Sequence, residues 1–239
     1  MSETVLNSLV NLRDVGGLPI RGGGVTQDDV LYRSDAFWPG DEPPTQVKVW
    51  PPAVVIDLRS DGELERVRYD WAPPSVFRHH PIHKAAIPTD LRAQGQIVDL
   101  YRFLLKEAPD RLATVADIVG GDLDGPALVH CAAGKDRTGI VVASLLLAAD
   151  VEPEAVIDDY VRTQENMDAL IARWAQAARA RGREPNPAAF NNNWLVSPRE
   201  AITEVVDHFE NHRGGARGWL LANGANERHV QHWCERITS

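Results

Sequence analysis

Three consecutive segments between Pro126 and Ala149 restrict what this chain can become. Pro126-Ala-Leu-Val-His130 reads as a strand, a Gly-containing turn follows, and Ile140-Val-Val-Ala-Ser-Leu-Leu-Leu-Ala-Ala149 is apolar around its whole circumference. Ten such residues are far short of the roughly 20 that span a bilayer, so this segment reads as a helix enclosed by protein. Other short apolar runs precede it. Val30-Leu-Tyr-Arg-Ser34 and Ala53-Val-Val-Ile-Asp-Leu-Arg59 have the character of strands, the second buried on both faces, and Ser75 to Ile82 is a weaker one. Between them fall helical patterns at 61–68, 96–105 and 110–119; the first carries acids early and bases late, as a helix dipole prefers. Strands alternating with helices predict an α/β fold with a central, mostly parallel sheet flanked by helices.

From Pro153 onward the pattern is almost wholly helical, with Ala- and Arg-rich runs such as 169–178. A Pro/Asn-rich break at 183–193 precedes a further helix, for which Ser197 is placed to cap and Pro198 to occupy the first turn. No repeat and no long linker divides the chain. The expectation is a single domain over 1–239, with a core at about 9–165 and a helical C-terminal part at about 166–239.

Charge and cysteine usage narrow the function classes. A net charge of −9 lacks the basic footprint that nucleic acid or an anionic membrane surface requires, so neither is expected as a partner. The 239 residues hold 2 cysteines, Cys131 and Cys234, which excludes a disulfide framework and fits a reducing, cytoplasmic setting. The first residues carry neither a basic leader nor a long apolar run, so no signal peptide is expected, although export by a route that leaves no sequence mark is compatible with that start.

The turn itself, His130-Cys-Ala-Ala-Gly-Lys-Asp-Arg-Thr-Gly139, carries the chemistry. A short loop between a buried strand and a helix N-terminus aims backbone N–H groups inward and suits a dianion. Ala132, Ala133, Gly134 and Lys135 would form the wall of that cup, and Arg137 would grip two phosphate oxygens with its planar fork. Cys131 at the base is a nucleophile in place, Thr138 can donate to its thiolate, and His130 more plausibly orders the loop than moves protons. A nucleotide P-loop is excluded, because Val129 stands where that motif needs Gly and Asp136 where it needs Ser or Thr.

This stretch resembles the signature of the cysteine-dependent protein tyrosine phosphatases. The Lys135-Asp136 pair before the arginine is similar to an atypical bacterial and fungal branch acting on phosphoproteins and phosphoinositides. Asn11-Leu-Arg-Asp-Val-Gly-Gly17, Leu31-Tyr-Arg-Ser34, Asp57-Leu-Arg-Ser60 and Asp159-Tyr160 match further family positions. The resemblance implies the tyrosine phosphatase fold, a phosphocysteine intermediate, no cofactor or metal, and a phosphorylated protein or phosphoinositide as substrate. It also implies Asp136 as the general acid, with Asp90 or Asp99 as alternatives upstream. Trp38-Pro-Gly-Asp41 looks like an acid loop but lies too far before Cys131 and has an inserted Gly, so it reads as a turn. In a mycobacterial member of that branch, helices after the core form a lid, which makes the C-terminal helices lid candidates here.

Lys135 is one of four lysines in the chain and is expected at the loop rim as a second positive charge, favouring multiply phosphorylated substrates. His79, His80 and His83 lack a further ligand set for a metal, the pairs His208/His212 and His229/His232 read as packing, and Gly22-Gly-Gly24 reads as a hairpin turn. A catalytically inactive phosphate-binding module is the alternative function; it is disfavoured because Cys131, Asp136 and Arg137 are all present. A sulfur-transfer enzyme would not need the Arg-Thr pair.

Overall fold

A computed structural model describes residues 7–83, 95–185 and 194–239. Among these residues five strands form one sheet: β1 (Arg13–Asp14), β2 (Leu31–Ser34), β3 (Val54–Asp57), β4 (Val76–His79) and β5 (Ala127–His130). Their order is β1-β2-β5-β3-β4, and only β1 runs antiparallel to its neighbour. The alternation of side chains along the three inner strands explains the near-continuous apolar runs. Leu31, Val54, Ile56, Ala127 and Val129 point into the larger core, while Tyr32, Val55 and Leu128 pack on the opposite face. There Phe37, Trp50, Tyr69 and Trp71 close an aromatic cluster, with Phe37 and Tyr69 edge-to-face at 4.6 Å. The weaker strand shortens to β4, an edge strand whose residues alternate between exposed and half-buried.

Helices cover the sheet: α1 (Asp61–Arg66), α2 (Ile97–Glu107), α3 (Pro109–Val119), α4 (Asp136–Ala148), α5 (Pro153–Val161), α6 (Met167–Ala180), α7 (Arg199–Glu210), α8 (Gly215–Ala222) and α9 (Glu227–Thr238). The apolar segment is α4, buried from Thr138 to Ala148. Helices α5, α7 and α8 pack around it, and Trp233 of α9 donates to the Leu145 carbonyl at 2.9 Å. The last three helices belong to the main core: Ile202, Val205, Phe209, Trp219, Leu220 and Ile237 join it. The start of α7 also differs from expectation. Pro198, at φ −70 and ψ 136, is the residue before the helix, and Ser197 is buried one step earlier with its N–H donated to Gln164 Oε1 at 2.8 Å. That tie holds Ser197 in the preceding segment, so it does not cap. The turn at Gly22–Gly24 is a hairpin, closed by the antiparallel bridge between Pro19 and Val25.

The register fixes where a site can lie. His130 at the end of β5 is level with Ser34 of β2 on one side and Asp57 of β3 on the other. Three chain segments thus leave the carboxyl edge of the sheet side by side, the place where α/β sheets bind ligands.

Candidate active site

The loop from Cys131 to Lys135 leaves β5 at that edge and enters α4 at Asp136, one residue before Arg137. Every carbonyl along it is tied down. That of Cys131 lies 3.2 Å from His130 Nδ1, Ala132 accepts from the Ala36 N–H at 3.3 Å, and Ala133 accepts from Asn11 Nδ2 at 2.9 Å. Gly134 accepts from Arg33 Nη2 at 2.9 Å and Lys135 from the Gly139 N–H at 2.7 Å. Among the described residues, the N–H groups of Ala132 to Lys135 take no part in such bonds. With the carbonyls drawn outward and the amides left over, the loop concentrates positive partial charge on its concave side, reinforced by the N-terminus of α4. Gly134 makes this turn possible. Its φ is +70, and a Cβ there would fall 2.3 Å from the Ser34 carbonyl oxygen.

Behind the loop lies a buried ionic network. Asp159 of α5 receives Arg13 Nε at 2.7 Å and Arg33 Nη1 at 2.5 Å, with all three side chains buried. Burial alone would raise the Asp159 carboxyl; Arg33 and Arg13 overcome it and hold it below its usual range. Burial together with Arg33 lowers Arg13 to about 10. Arg13 Nη1 also reaches Asn11 Oδ1 at 2.8 Å, so one network grips the Ala133 and Gly134 carbonyls from two directions. On the other flank, Asp57 is buried against Arg59 at 2.6 Å and stands 3.9 Å from His130. Burial lowers His130, favouring its neutral form, and its Nε2 has no described partner. That environment suits a residue that orders the loop.

Cys131 is 2% exposed at the floor of a pocket of about 610 Å³. Ala132, Ala133, Lys135, Asp136 and Arg137 line it. Gly134 and Thr138 stand behind that wall, and Thr138 is buried, its Oγ1 without a partner among the described residues, beside the loop it follows. The walls include Trp38, Met167, Trp174 and Trp194, which make the pocket deep and largely aromatic. Residues of α6 thus supply one side, while Arg66 and Arg181 stand exposed at the mouth.

Arg137 is not poised alone. Its Nη1 and Nη2 make a bidentate ion pair with Glu63 at 2.6 and 2.8 Å. Glu63 also receives the N–H and hydroxyl of Ser60, each at 2.9 Å, closing a capping box at the start of α1. Burial pushes the Glu63 carboxyl up, but Arg137 and Ser60 more than reverse this and hold it at about 2. Arg137 is in turn held above its ordinary range: burial opposes this, and Glu63, Cys131 and Asp136 outweigh it. Sequence reasoning missed Glu63. Its signal was the Ser60-x-x-Glu63 spacing directly after the matched Asp57-Leu-Arg-Ser60.

Asp136 faces the same pocket, its side chain 23% exposed. Its Oδ1 accepts from Tyr101 Oη at 2.9 Å and from Lys135 Nζ at 2.7 Å, and Tyr101 Oη lies 2.5 Å from Tyr160 Oη. Burial holds both tyrosines above their ordinary range. Lys135 departs from the expectation of a rim charge. It is 2% exposed, and its ammonium is shared between Asp136 and the Val196 carbonyl at 2.9 Å. A buried ammonium needs such partners, so it is committed to the site's own carboxylate.

The other acids fall elsewhere. Asp99 caps α2 through the Gln96 N–H at 3.1 Å, and Asp90 lies outside the described residues. Asp41 closes a turn on the Trp38 N–H and pairs with Arg173 at 2.5 Å; it lines the adjoining groove and not the pocket itself. His79 and His80 each place Nε2 2.8 Å from a backbone carbonyl, of Arg59 and Arg111 respectively. Among the described residues no group of three His, Cys, Asp or Glu is placed to hold a metal ion. Among the described residues no helix is long and apolar enough to cross a membrane. Cys234 is buried at the far end of α4, its Sγ on the Ala148 carbonyl at 3.1 Å. The length of α4, roughly 20 Å at 1.5 Å per residue, separates it from the loop end that carries Cys131.

A parallel α/β sheet with a Cys-to-Arg loop at the carboxyl end of its central strand is a phosphatase-like architecture. The chain belongs to the tyrosine phosphatase family, whose model matches residues 4–239. It is 41% identical over 56 residues to the triple specificity protein phosphatase PtpB of Mycobacterium tuberculosis, covering 23% of this chain and 20% of that protein. A putative tyrosine-protein phosphatase of Cupriavidus necator is 26% identical over 191 residues, 75% of this chain and 68% of that one. A tyrosine-protein phosphatase of Nostoc commune is 25% identical over 118 residues, 47% of this chain and 39% of that one. The chain thus spans about a fifth of the PtpB length and about two fifths of the Nostoc protein.

Proposed function

We propose that this chain hydrolyses phosphate monoesters, phosphotyrosine foremost, through a phosphocysteine intermediate. The observation that carries the reading is the loop: a buried cysteine on the floor of a pocket, beneath amides whose carbonyls are all engaged on the outer side. Cys131 Sγ attacks phosphorus, an S–P bond forms, and the ester P–O bond breaks. The leaving oxygen takes its proton from Asp136. Water then attacks the phosphocysteine, Asp136 takes up a proton from it, and the thiolate departs as inorganic phosphate is released. Arg137, held in plane by Glu63, and the loop amides stabilise the charge on the transferring group. Thr138 Oγ1, otherwise unpartnered, supplies a donor for the returning thiolate.

The aromatic walls favour a flat phosphoaryl group. Activity on phosphoserine, phosphothreonine or phosphoinositides remains a secondary reading; the name of PtpB supports it, and the commitment of Lys135 to Asp136 weighs against its phosphoinositide part. Hydrolysis of p-nitrophenyl phosphate and a tyrosine phosphopeptide tests the assignment. Cys131→Ser abolishes turnover while still binding the phosphopeptide, and Asp136→Asn lowers kcat by roughly 10²–10⁴ with little change in binding. Full activity in Cys131→Ser refutes the mechanism. Wild-type activity in Asp136→Asn with a crippled Asp90→Asn moves the acid upstream. Phosphopeptide binding without turnover by the native chain establishes the inactive-module reading.

A further inference from the structure

We infer that a second anion subsite adjoins the catalytic pocket and takes an acidic or phosphorylated residue flanking the phosphotyrosine of a peptide substrate. The inference deepens the phosphotyrosine reading and rests on it. A groove of about 520 Å³ continues from the mouth of the pocket, and the two share Trp38, Arg66, Val67 and Arg181. Arg66 and Arg68, near the end of α1 and just beyond it, stand on one side, and Arg181, after the last turn of α6, on the other. Among the described residues the single acid lining the groove is Asp41, whose side chain is buried against Arg173, a guanidinium it shares with Asp35.

The state of these guanidiniums sets them apart. Arg13, Arg33, Arg59, Arg137 and Arg173 around the site each hold a carboxylate. Arg68 pairs with Asp70 at 2.9 Å. The guanidinium groups of Arg66 and Arg181 are exposed and have no hydrogen-bond or ion-pair partner among the described residues. In a chain with 34 acidic side chains and a net charge of −9, two unpaired arginines facing each other's groove at the site's mouth are a local reversal of charge. A phosphotyrosine side chain that reaches Cys131 leaves its main chain at that mouth, and the neighbouring residue then falls beside Arg66 and Arg181. Guanidinium forks suit a carboxylate or a second phosphate equally. An inositol ring, by contrast, keeps its phosphates within one ring's width of each other, inside the pocket, where Lys135 is already engaged.

The test compares the wild-type chain with Arg66→Ala/Arg181→Ala, two exposed positions whose removal leaves the core intact. Substrates are p-nitrophenyl phosphate, a tyrosine phosphopeptide with neutral flanks, the same peptide with Glu or a second phosphotyrosine beside the target, and vesicles containing a phosphatidylinositol phosphate. The wild type prefers the acidic peptides by roughly five- to tenfold in kcat/KM, expressed in KM and shrinking with added salt. The double variant loses that preference and keeps p-nitrophenyl phosphate turnover within about twofold. Binding of the same peptides to Cys131→Ser reads the subsite without turnover, so an inactive chain refutes the proposed hydrolysis and leaves this inference still measurable. Equal use of neutral and acidic peptides by the wild type overturns it, as does a preference that survives in the double variant. Loss of vesicle hydrolysis with peptide preference retained assigns the arginines to a lipid headgroup instead and overturns it too.

Discussion

Glu63→Gln separates the positioning of Arg137 from the rest of the site. The carboxylate accepts both guanidinium nitrogens at 2.6 and 2.8 Å, with Arg137 13% and Glu63 27% exposed. Holding that carboxyl at about 2 rather than 4.5 corresponds to about 3 kcal/mol of preference for its ionised form. The amide of glutamine accepts one of the two bonds and turns N–H groups toward N–H groups, so roughly 2–3 kcal/mol of stability is lost at neutral pH. At about 2–4 °C per kcal/mol for a chain of this size, Tm falls by roughly 4–12 °C. The sign of the pH dependence follows from the depressed carboxyl. Its contribution is complete above the unfolded value of 4.5 and is lost as pH falls through the folded value of about 2. The Tm gap between wild type and variant therefore closes on acidification, to less than about half by pH 3. A freed guanidinium no longer presents its fork in one plane, and kcat on p-nitrophenyl phosphate falls roughly 10- to 100-fold, while the inhibition constant of inorganic phosphate moves less than about threefold. Calorimetry between pH 3 and 7 and steady-state kinetics check these outcomes. A variant with wild-type kcat, or a Tm gap that stays constant down to pH 3, refutes the reasoning.

Three further perturbations probe the frame around the loop. Gly134→Ala forces a side chain into positive φ and against the Ser34 carbonyl; a loss of roughly 3 kcal/mol or more and of over about 10² in kcat/KM is expected, read by thermal unfolding and kinetics. Asn11→Ala removes the donor to the Ala133 carbonyl and the acceptor of Arg13 and Asn166, costing roughly 2–4 kcal/mol and about tenfold in kcat; an unchanged kcat would show that the loop holds its shape without it. Among the described C-terminal helices, α6 walls the pocket, through Met167 and Trp174. If it closes over bound anion, orthovanadate slows tryptic cleavage after Arg179 and Arg181, and an unaltered cleavage pattern disposes of a lid.

Much of the fold was legible because apolar periodicity is a local property. The strands at 31–34, 54–57 and 127–130 and the buried α4 follow from runs that cannot face water. The misplaced start of α7 shows the limit: Ser197-Pro198 is a sound start signal, but Gln164, 33 residues away, ties Ser197 down first. The fate of the C-terminal helices was hidden for the same reason. Amphipathic helices announce that one face is buried, not against what, and α7 to α9 proved to enclose α4.

The chain's sequence determined the chemistry on offer: a cysteine, an acid and an arginine at set spacing, in a turn between a buried strand and a buried helix. Adjacent residues on a short loop have little freedom, so their proximity needs no tertiary information. Tertiary structure decided which charges are spent and which are free. Lys135, expected at the rim, is buried on Asp136, and Arg137 is aligned by Glu63, 74 residues before it in the chain. Arg66, at the end of α1, and Arg181, just after α6, meet at the mouth of one pocket. Ion pairing depends on through-space distance and burial, and spacing along the chain records neither.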